Sequence, residues 1–306
     1  MHSKNWLIIL EENKKELVVA VHSEDIDGIA SAALILRKFS NVQIIFMKPN
    51  EIRRTSMSFD IVIDLPKPRN CRINIDHHKS NFEYLIKNKR LGENDLVDPN
   101  APSAACLVAK YYNLTDKISK EIVDMANKAD KGEHDRKLIL LDLIIKCNVT
   151  NQTKLYWLSD KLSKLGKKIF KDNEFKREIE KLRPIRKKIN EAEVVVEKLL
   201  RSNIKAVVFD CMRIPYAVAR VPPTIFTKRG GYVALSYYLE PDSGKIKISI
   251  RVGDYDFRAD IFAERFGGGG HEKAAGLTVR GEAELAIIIK KFIDSMRLKP
   301  VAFVSF

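Results

Sequence analysis

The chain has 306 residues and a net charge of +14, and 45% of it is hydrophobic against 31% charged. That balance excludes a disordered chain, and no run of about 18 apolar residues is present to span a bilayer, so no membrane role is expected. The excess of Lys and Arg favours a polyanionic partner through release of phosphate counterions, with compositional bias alone as the bland alternative.

The first ten residues hold a short apolar run without a small-residue cleavage site, so no signal peptide is expected. Cys71, Cys106, Cys147 and Cys211 lack any C-x-x-C spacing, which points to reduced thiols and a cytoplasmic protein. Leu17 to His22 is a continuous apolar run of strand length, and Gly28 to Phe39 carries apolar residues at helical spacing. Between them lies His22-Ser23-Glu24-Asp25-Ile26-Asp27-Gly28, which sets ligand-type side chains at the carboxyl end of a strand, where open α/β sheets keep their sites. A helix cap alone would need one aspartate and leave His22 unexplained. Glu24 receives no role.

Val42 to Met47 reads as a second strand, and Phe59 to Asp64 as a third that Pro66 and Pro68 stop. A fourth, beginning at Ile73, ends in Asp76-His77-His78. Adjacent strand residues face opposite sides, so one histidine is expected to bind a metal while its neighbour faces a substrate. Ser103 is expected to cap a helix through Tyr111, and helical spacing resumes from Ile118 to Ala126. The cluster Lys128 to His134 that follows is more commonly a solvated helix end; Asp130 stands out only as a further carboxylate for a metal.

From Thr153 to Leu200 the periodicity predicts amphipathic helices broken at Pro184. Residues 151–200 hold 14 Lys plus Arg against 8 Asp plus Glu, which fits either a solvated face or a nucleic-acid track. Strand patterns return at 206–209, 232–238 and 245–251, with Pro241-Asp242-Ser243-Gly244 as the turn between the last two. A helix from Ala259 to Phe266 then leads into Gly267-Gly268-Gly269-Gly270-His271. Four glycines together imply a tight turn or a close approach, and their amides could cradle an anion beside Arg251 and His271; a flexible hinge is the alternative. Residues 277–306 read as a final strand and a basic helix.

The expected fold is α/β in two domains: a mainly parallel sheet flanked by helices over 1–150, a helical linker over 151–202, and a smaller C-terminal α/β domain with a mixed sheet over 203–306.

In this order the motifs resemble the DHH phosphoesterase family with its associated C-terminal domain. The likeness rests on His22-x-x-Asp25-x-Asp27-Gly28, Ile63-Asp64, Asp76-His77-His78, Asp130 and the glycine run before His271, and it covers nearly the whole chain. It implies two Mn²⁺ ions, with Mg²⁺ as an alternative. His22, Asp25 and Asp64 would hold one, and Asp27, Asp64, His77 and Asp130 the other, with Asp64 bridging. The resemblance further implies that Asp76 orients the histidines and His78 contacts the scissile phosphate. Arg251, Gly268, Gly269, Gly270 and His271 would bind substrate from the second domain across a cleft. Oxygen and imidazole donors suit Mn²⁺, and an ion pair can activate water for an in-line displacement.

The expected activity is that of the RecJ-like and nano-RNase-like branches: hydrolysis of single-stranded nucleic acid or short oligonucleotides to 5′-mononucleotides. Two alternatives stand beside it. One is a phosphatase or phosphodiesterase for bisphosphonucleotides or cyclic dinucleotides, and the other a catalytically silent RecJ-like replication scaffold. A scaffold usually loses ligands, whereas every candidate is present here. DNA versus RNA, oligomeric state and protein partners stay open.

Overall fold

The computed structural model describes residues 16–133, 135–240 and 243–306. The apolar run at Met1 to Leu10, His134, and the Pro241-Asp242 half of the expected turn lie outside the described residues. Contacts divide the chain into two units, Met1–Ile179 and Glu180–Phe306.

In the first unit, β1 (Leu17–His22), α1 (Ile26–Lys38), β2 (Val42–Met47), α2 (Pro49–Ile52), β3 (Phe59–Ile63), β4 (Cys71–Asp76), α3 (Lys79–Lys87) and β5 (Leu96–Val97) follow one another. Then come α4 (Ala104–Tyr111), α5 (Lys117–Asp130), α6 (Arg136–Cys147), α7 (Gln152–Leu165) and a 3₁₀ turn at Gly166–Lys171. The strands form one wholly parallel sheet in the order β2-β1-β3-β4-β5. In-register pairs Val21↔Ile63 and Ile63↔Ile75 bring the carboxyl ends of β1, β3 and β4 level with one another. The strand order reverses between β1 and β3, and such a switch point opens a crevice at that edge.

The apolar runs become buried strands because helices cover the sheet. The first ten residues of α1 are all buried, and its Ala30, Ser31, Ala32 and Ala33 let α4, α5 and α7 pack closely around it. Arg37 fastens these helices, reaching Asp116 at 2.8 Å, Ser119 Oγ at 3.0 Å and the Ser163 carbonyl at 2.6 Å. At the open edge of the sheet, Gln152 accepts from Phe46 N at 2.9 Å and donates to Phe46 O at 2.7 Å, standing in for a missing strand.

The second unit begins with the end of α8 (Asn173–Lys181) and contains α9 (Arg183–Arg201), β6 (Ala206–Asp210), α10 (Tyr216–Ala219) and α11 (Val221–Lys228). These are followed by β7 (Val233–Leu239), β8 (Ile246–Val252), α12 (Ala259–Glu264), β9 (Gly269–His271), β10 (Ala274–Val279), α13 (Glu282–Ser295) and β11 (Val301–Ser305). Its sheet is mixed, ordered β11-β6-β7-β8-β10-β9, with β11, β6 and β7 parallel and the rest antiparallel. Alternation along β6 sends Val207 and Phe209 to one side with Val196 and Phe226, and Val208 to the other with Ile250, Phe262 and Phe292.

Two differences from expectation concern the helices. The stretch 151–202 divides between the units: α7 packs on α1, while α9 buries Val196 in the second core, so each amphipathic face is spent on a neighbouring domain. Pro184 sits in the first turn of α9, where its missing N–H removes no helical bond. At the C-terminus the expected strand and helix are the end of β10 and α13, and a further strand, β11, follows and pairs with β6.

Candidate active site

β1 ends at His22, and α1 starts so close behind it that a Cβ on Gly28 would lie 2.0 Å from the His22 carbonyl oxygen. Only glycine fits there. Asp25 caps α1 by accepting from Gly28 N at 3.0 Å, while its other oxygen faces His22 Nδ1 at 2.8 Å. The capping and ligand readings of that aspartate are therefore both geometrically satisfied. Asp27, in the first turn of α1 and 1% exposed, accepts from Ala104 N at 2.7 Å and Ala105 N at 2.8 Å, which fixes its carboxylate against the start of α4.

Asp64 follows β3 with φ of 57° and is 2% exposed. That left-handed conformation is uncommon outside glycine and aims the carboxylate into the crevice. There Asp64 accepts from His22 Nδ1 at 3.2 Å and lies 3.6 Å from His77 Nε2 and 3.5 Å from His78 Nδ1. His77 Nε2 also stands 3.6 Å from Asp27 and 3.3 Å from Asp130, which the end of α5 delivers.

Asp76 plays a different part. Fully buried, it accepts from the backbone N–H of His77 at 2.8 Å and of His78 at 3.2 Å, and it holds His78 Nδ1 at 2.8 Å. Its second oxygen accepts from Asn81 Nδ2 at 2.7 Å, and Asn81 is locked in turn to Asn74 at 2.9 Å. Asp76 thus positions the histidine turn and lies outside the ligand sets below.

Three donor sets have atoms mutually within 4.8 Å: His22, Asp25 and Asp64; Asp27, His77 and Asp130; and Asp64, His77 and His78. They hold only oxygen and imidazole nitrogen, the donors that hard and borderline divalent cations take. His22 Nε2 and Asp64 Oδ1 are buried with no hydrogen-bond partner, and such orphaned atoms are costly unless something else satisfies them. The residues present therefore fit divalent cations.

The electrostatics agree. Burial raises the Asp27 carboxyl well above its usual range, and the neighbouring Asp64, Asp130 and Asp25 push it further. Burial, then Asp25 and Asp64, push Asp130 up to about 7. Burial works against the charged form of His77, but Asp64, Asp27 and Asp130 outweigh it and hold the ring up at about 10. His22 is likewise raised by Asp25, Asp64 and Glu24 against the effect of burial. Asp64 is the exception: burial would raise it, yet the hydrogen bond from His22 and the nearby His77 and His78 rings hold it below the usual carboxylate range. Four carboxylates this close repel one another, and added positive charge relieves the repulsion.

In the second unit, Ala274 pairs with Arg251 on β8 and with His271 on β9, so the three side chains share one sheet face. Arg251 and His271 flank the small Ala274 from strands on the order of 10 Å apart. Burial lowers the Arg251 pKa, and the nearby Arg220 guanidinium lowers it further, so two cations are crowded together. The glycines have separate reasons. Gly267 takes φ of 73° just past α12, and a Cβ on Gly268 or Gly270 would meet β10 at 2.4–2.5 Å. Gly269 alone of the four pairs an ordinary φ with open space around it.

Residues 220–297 match the DHHA1 domain family. The second unit therefore carries a DHHA1 domain. Among solved structures, the chain is similar to a pGpG-specific phosphodiesterase from Vibrio cholerae, with a TM-score of 0.61, 19% identity, and 92% of this chain and 98% of the other covered. It is also similar to RecJ exonuclease bound to manganese, at 0.53 and 13%, covering 95% and 94%. An exopolyphosphatase-related protein from Bacteroides fragilis gives 0.52 and 16%, covering 96% and 95%. At these identities the likeness is one of fold. No curated protein sequence matches the chain.

Sequence reading missed several residues here. Glu24 stands 3.8 Å from His22 Nε2, Asn81 and Asn74 brace Asp76, and Arg220 accompanies Arg251. Asn74 carries a signal, as a buried amide inside the apolar run that ends in Asp76; Asn81 and Arg220 carry none. Asn81→Leu removes the donor to Asp76 within a buried network, and turnover is expected to fall about 10–100-fold with little change in overall fold. Steady-state kinetics beside circular dichroism checks this.

Proposed function

We propose that this protein is a divalent-metal-dependent phosphodiesterase that hydrolyses single-stranded nucleic acid or short oligonucleotides to 5′-mononucleotides, with Mn²⁺ as the working ion. The observation that carries the reading is the trio of donor sets around Asp64 and His77, with His22 Nε2 and Asp64 Oδ1 buried and unsatisfied. His22, Asp25 and Asp64 would hold one ion, and Asp27, His77 and Asp130, together with Asp64, would hold the other. When bound, such ions supply Lewis acidity and make water a competent nucleophile near neutral pH.

The chain's own residues do the rest. Asp76 accepts from Nδ1 of His78 and raises that ring's pKa, which favours an imidazolium with its Nε2–H available to a phosphate oxygen. His78 is half exposed and open to substrate. Arg251 and His271, with the glycine loop at Gly269 and Gly270, bind a further phosphate, whereas the Gly268 amide is spent on the Ala263 carbonyl at 2.9 Å; the crowding of Arg251 against Arg220 is what an anion would relieve. The four cysteines are unpaired, consistent with a reducing cytoplasm. Among the described residues no helix is long and apolar enough to cross a membrane.

Short substrates are favoured by the compact two-unit chain, and the Vibrio phosphodiesterase of similar fold is named for the dinucleotide pGpG. The test is a substrate panel in Mn²⁺ and in EDTA: end-labelled RNA and DNA of two to about 24 nucleotides, a 3′,5′-bisphosphonucleotide and a cyclic dinucleotide. Metal-dependent release of mononucleotides from the linear oligomers is the expected result. Turnover confined to the bisphosphonucleotide or cyclic dinucleotide, or none at all, contradicts the reading.

The glycine loop gives a separate expectation. Gly270→Ala clashes with β10 and is expected to lower the melting temperature by several degrees, on the order of 1–3 kcal/mol of overpacking. Gly269→Ala meets nothing in the protein, so it should leave the melt unchanged and raise KM by crowding bound phosphate. Melting curves and KM measured on the same two variants check the pair.

A further inference from the structure

Behind the Asp76 turn, on the first unit alone, lies a cleft of about 470 Å³ that the metal site does not use. Arg53, Lys67, Arg69 and Arg90 line it together with Ser80, Asn81 and Tyr84, and no acidic side chain does. The Lys67 ammonium is already paired at 2.6 Å with Asp95, whose side chain is fully buried. Arg90 is fixed in place, donating to the Pro68 carbonyl at 2.8 Å and to Tyr84 Oη at 3.4 Å, with its guanidinium 5.8 Å from the Tyr84 ring centroid. The exposed side chains of Arg53 and Arg69 make no ion pair or hydrogen bond among the described residues. Ser80 and Asn81 belong to the first turn of α3, the end whose backbone dipole favours negative charge.

Three guanidiniums and a lysine converge with only one of the four neutralised, which leaves an excess of positive charge in a concave space of ligand size. Arg is suited to phosphate through its planar fork of donors. We propose that this cleft is a phosphate-binding site distinct from the metal centre, taking the phosphate of a nucleoside monophosphate or free inorganic phosphate. Arg53 and Arg69 clamp the anion and Arg90 supports it from the wall. Tyr84, half exposed at the rim, is placed to receive a nucleoside. The inference stands apart from the hydrolytic reading, since it concerns binding in the absence of metal.

The test is isothermal titration of the full chain in EDTA with inorganic phosphate, AMP and adenosine. Wild type is compared with an Arg53→Ala/Arg69→Ala double variant, and both with an Arg251→Ala/His271→Ala background that removes anion contacts of the second unit. Saturable binding of phosphate or AMP that survives in that background, and weakens by about tenfold or more in the Arg53→Ala/Arg69→Ala chain, is the expected result. AMP tighter than phosphate assigns the rim to a nucleoside, and equal affinities assign a bare phosphate site. No saturable binding, equal affinity in the Arg53→Ala/Arg69→Ala chain with an unchanged melt, or adenosine binding as well as AMP, overturns the proposal. Oligonucleotide hydrolysis can persist under any of these outcomes, so failure here leaves the hydrolytic reading separately testable.

Discussion

Asp64→Asn is expected to lower Mn²⁺-dependent hydrolysis by more than about 100-fold, beyond what loss of a supporting residue around a metal site costs. Asp64 is shared by two of the donor sets, and one of its oxygens is buried without a partner. Asparagine tolerates the φ of 57° and keeps the side chain's size, so the fold should hold. It also removes a carboxylate that His22 and His77 hold ionised in the folded state, so the metal-free melting temperature near neutral pH is expected to fall modestly. Turnover within about tenfold of wild type would mean that the ions are held elsewhere.

The second large effect is in pH and metal. Asp130, pushed up to about 7, and Asp27, also raised, bind more protons folded than unfolded. Their contribution to stability is full below the ordinary carboxylate range and is lost as pH rises through the folded value, near 7 for Asp130. His77 behaves with the same sign at higher pH: its contribution is present below the ordinary value of 6.5 and disappears as pH climbs through about 10. Asp64, held down, contributes fully above the usual carboxylate range, and that contribution is lost only as pH falls into strong acid. The metal-free protein should therefore lose stability between pH 5.5 and 8. Cations compete with those protons for the same atoms, so their affinity rises across the same window.

The melting-temperature gain from 1 mM Mn²⁺ is accordingly expected to grow from pH 5.5 to pH 8. It should approach about 2.7 kcal/mol of stabilisation where the ion is at about 100 times its dissociation constant. A gain that is constant, or larger at pH 5.5, would show that the carboxylate cluster is not where the ion binds.

Much of this site was legible because its parts lie at strand ends. Apolar runs of strand length located β1, β3 and β4, and a parallel sheet necessarily brings their carboxyl ends to one edge. His22, Asp64 and Asp76 therefore follow from periodicity and topology together. Asp130 did not follow in that way: its own neighbourhood reads as a solvated helix end, and only the packing of α5 against α1 carries it to His77. Asn81 was invisible for a related reason. Its meaning lies in hydrogen bonds to Asp76 and Asn74, and its helix α3 buries only Asn81 and Leu85, too few to set a period. The Arg53–Arg69–Arg90 cleft is assembled from three separate loops and helix ends, and charge counting along the chain cannot see such convergence. The helices at 151–202 were read correctly as amphipathic, but periodicity does not say which core an apolar face will join.

The most direct test of the account is the number of Mn²⁺ ions bound per chain after equilibrium dialysis at pH 8, measured by elemental analysis for wild type and Asp64→Asn. The donor sets around Asp64 predict two ions in wild type and fewer in the variant. A wild-type chain that retains none, or a variant that retains as many as wild type, would contradict the assignment of this carboxylate and histidine cluster as a two-metal centre.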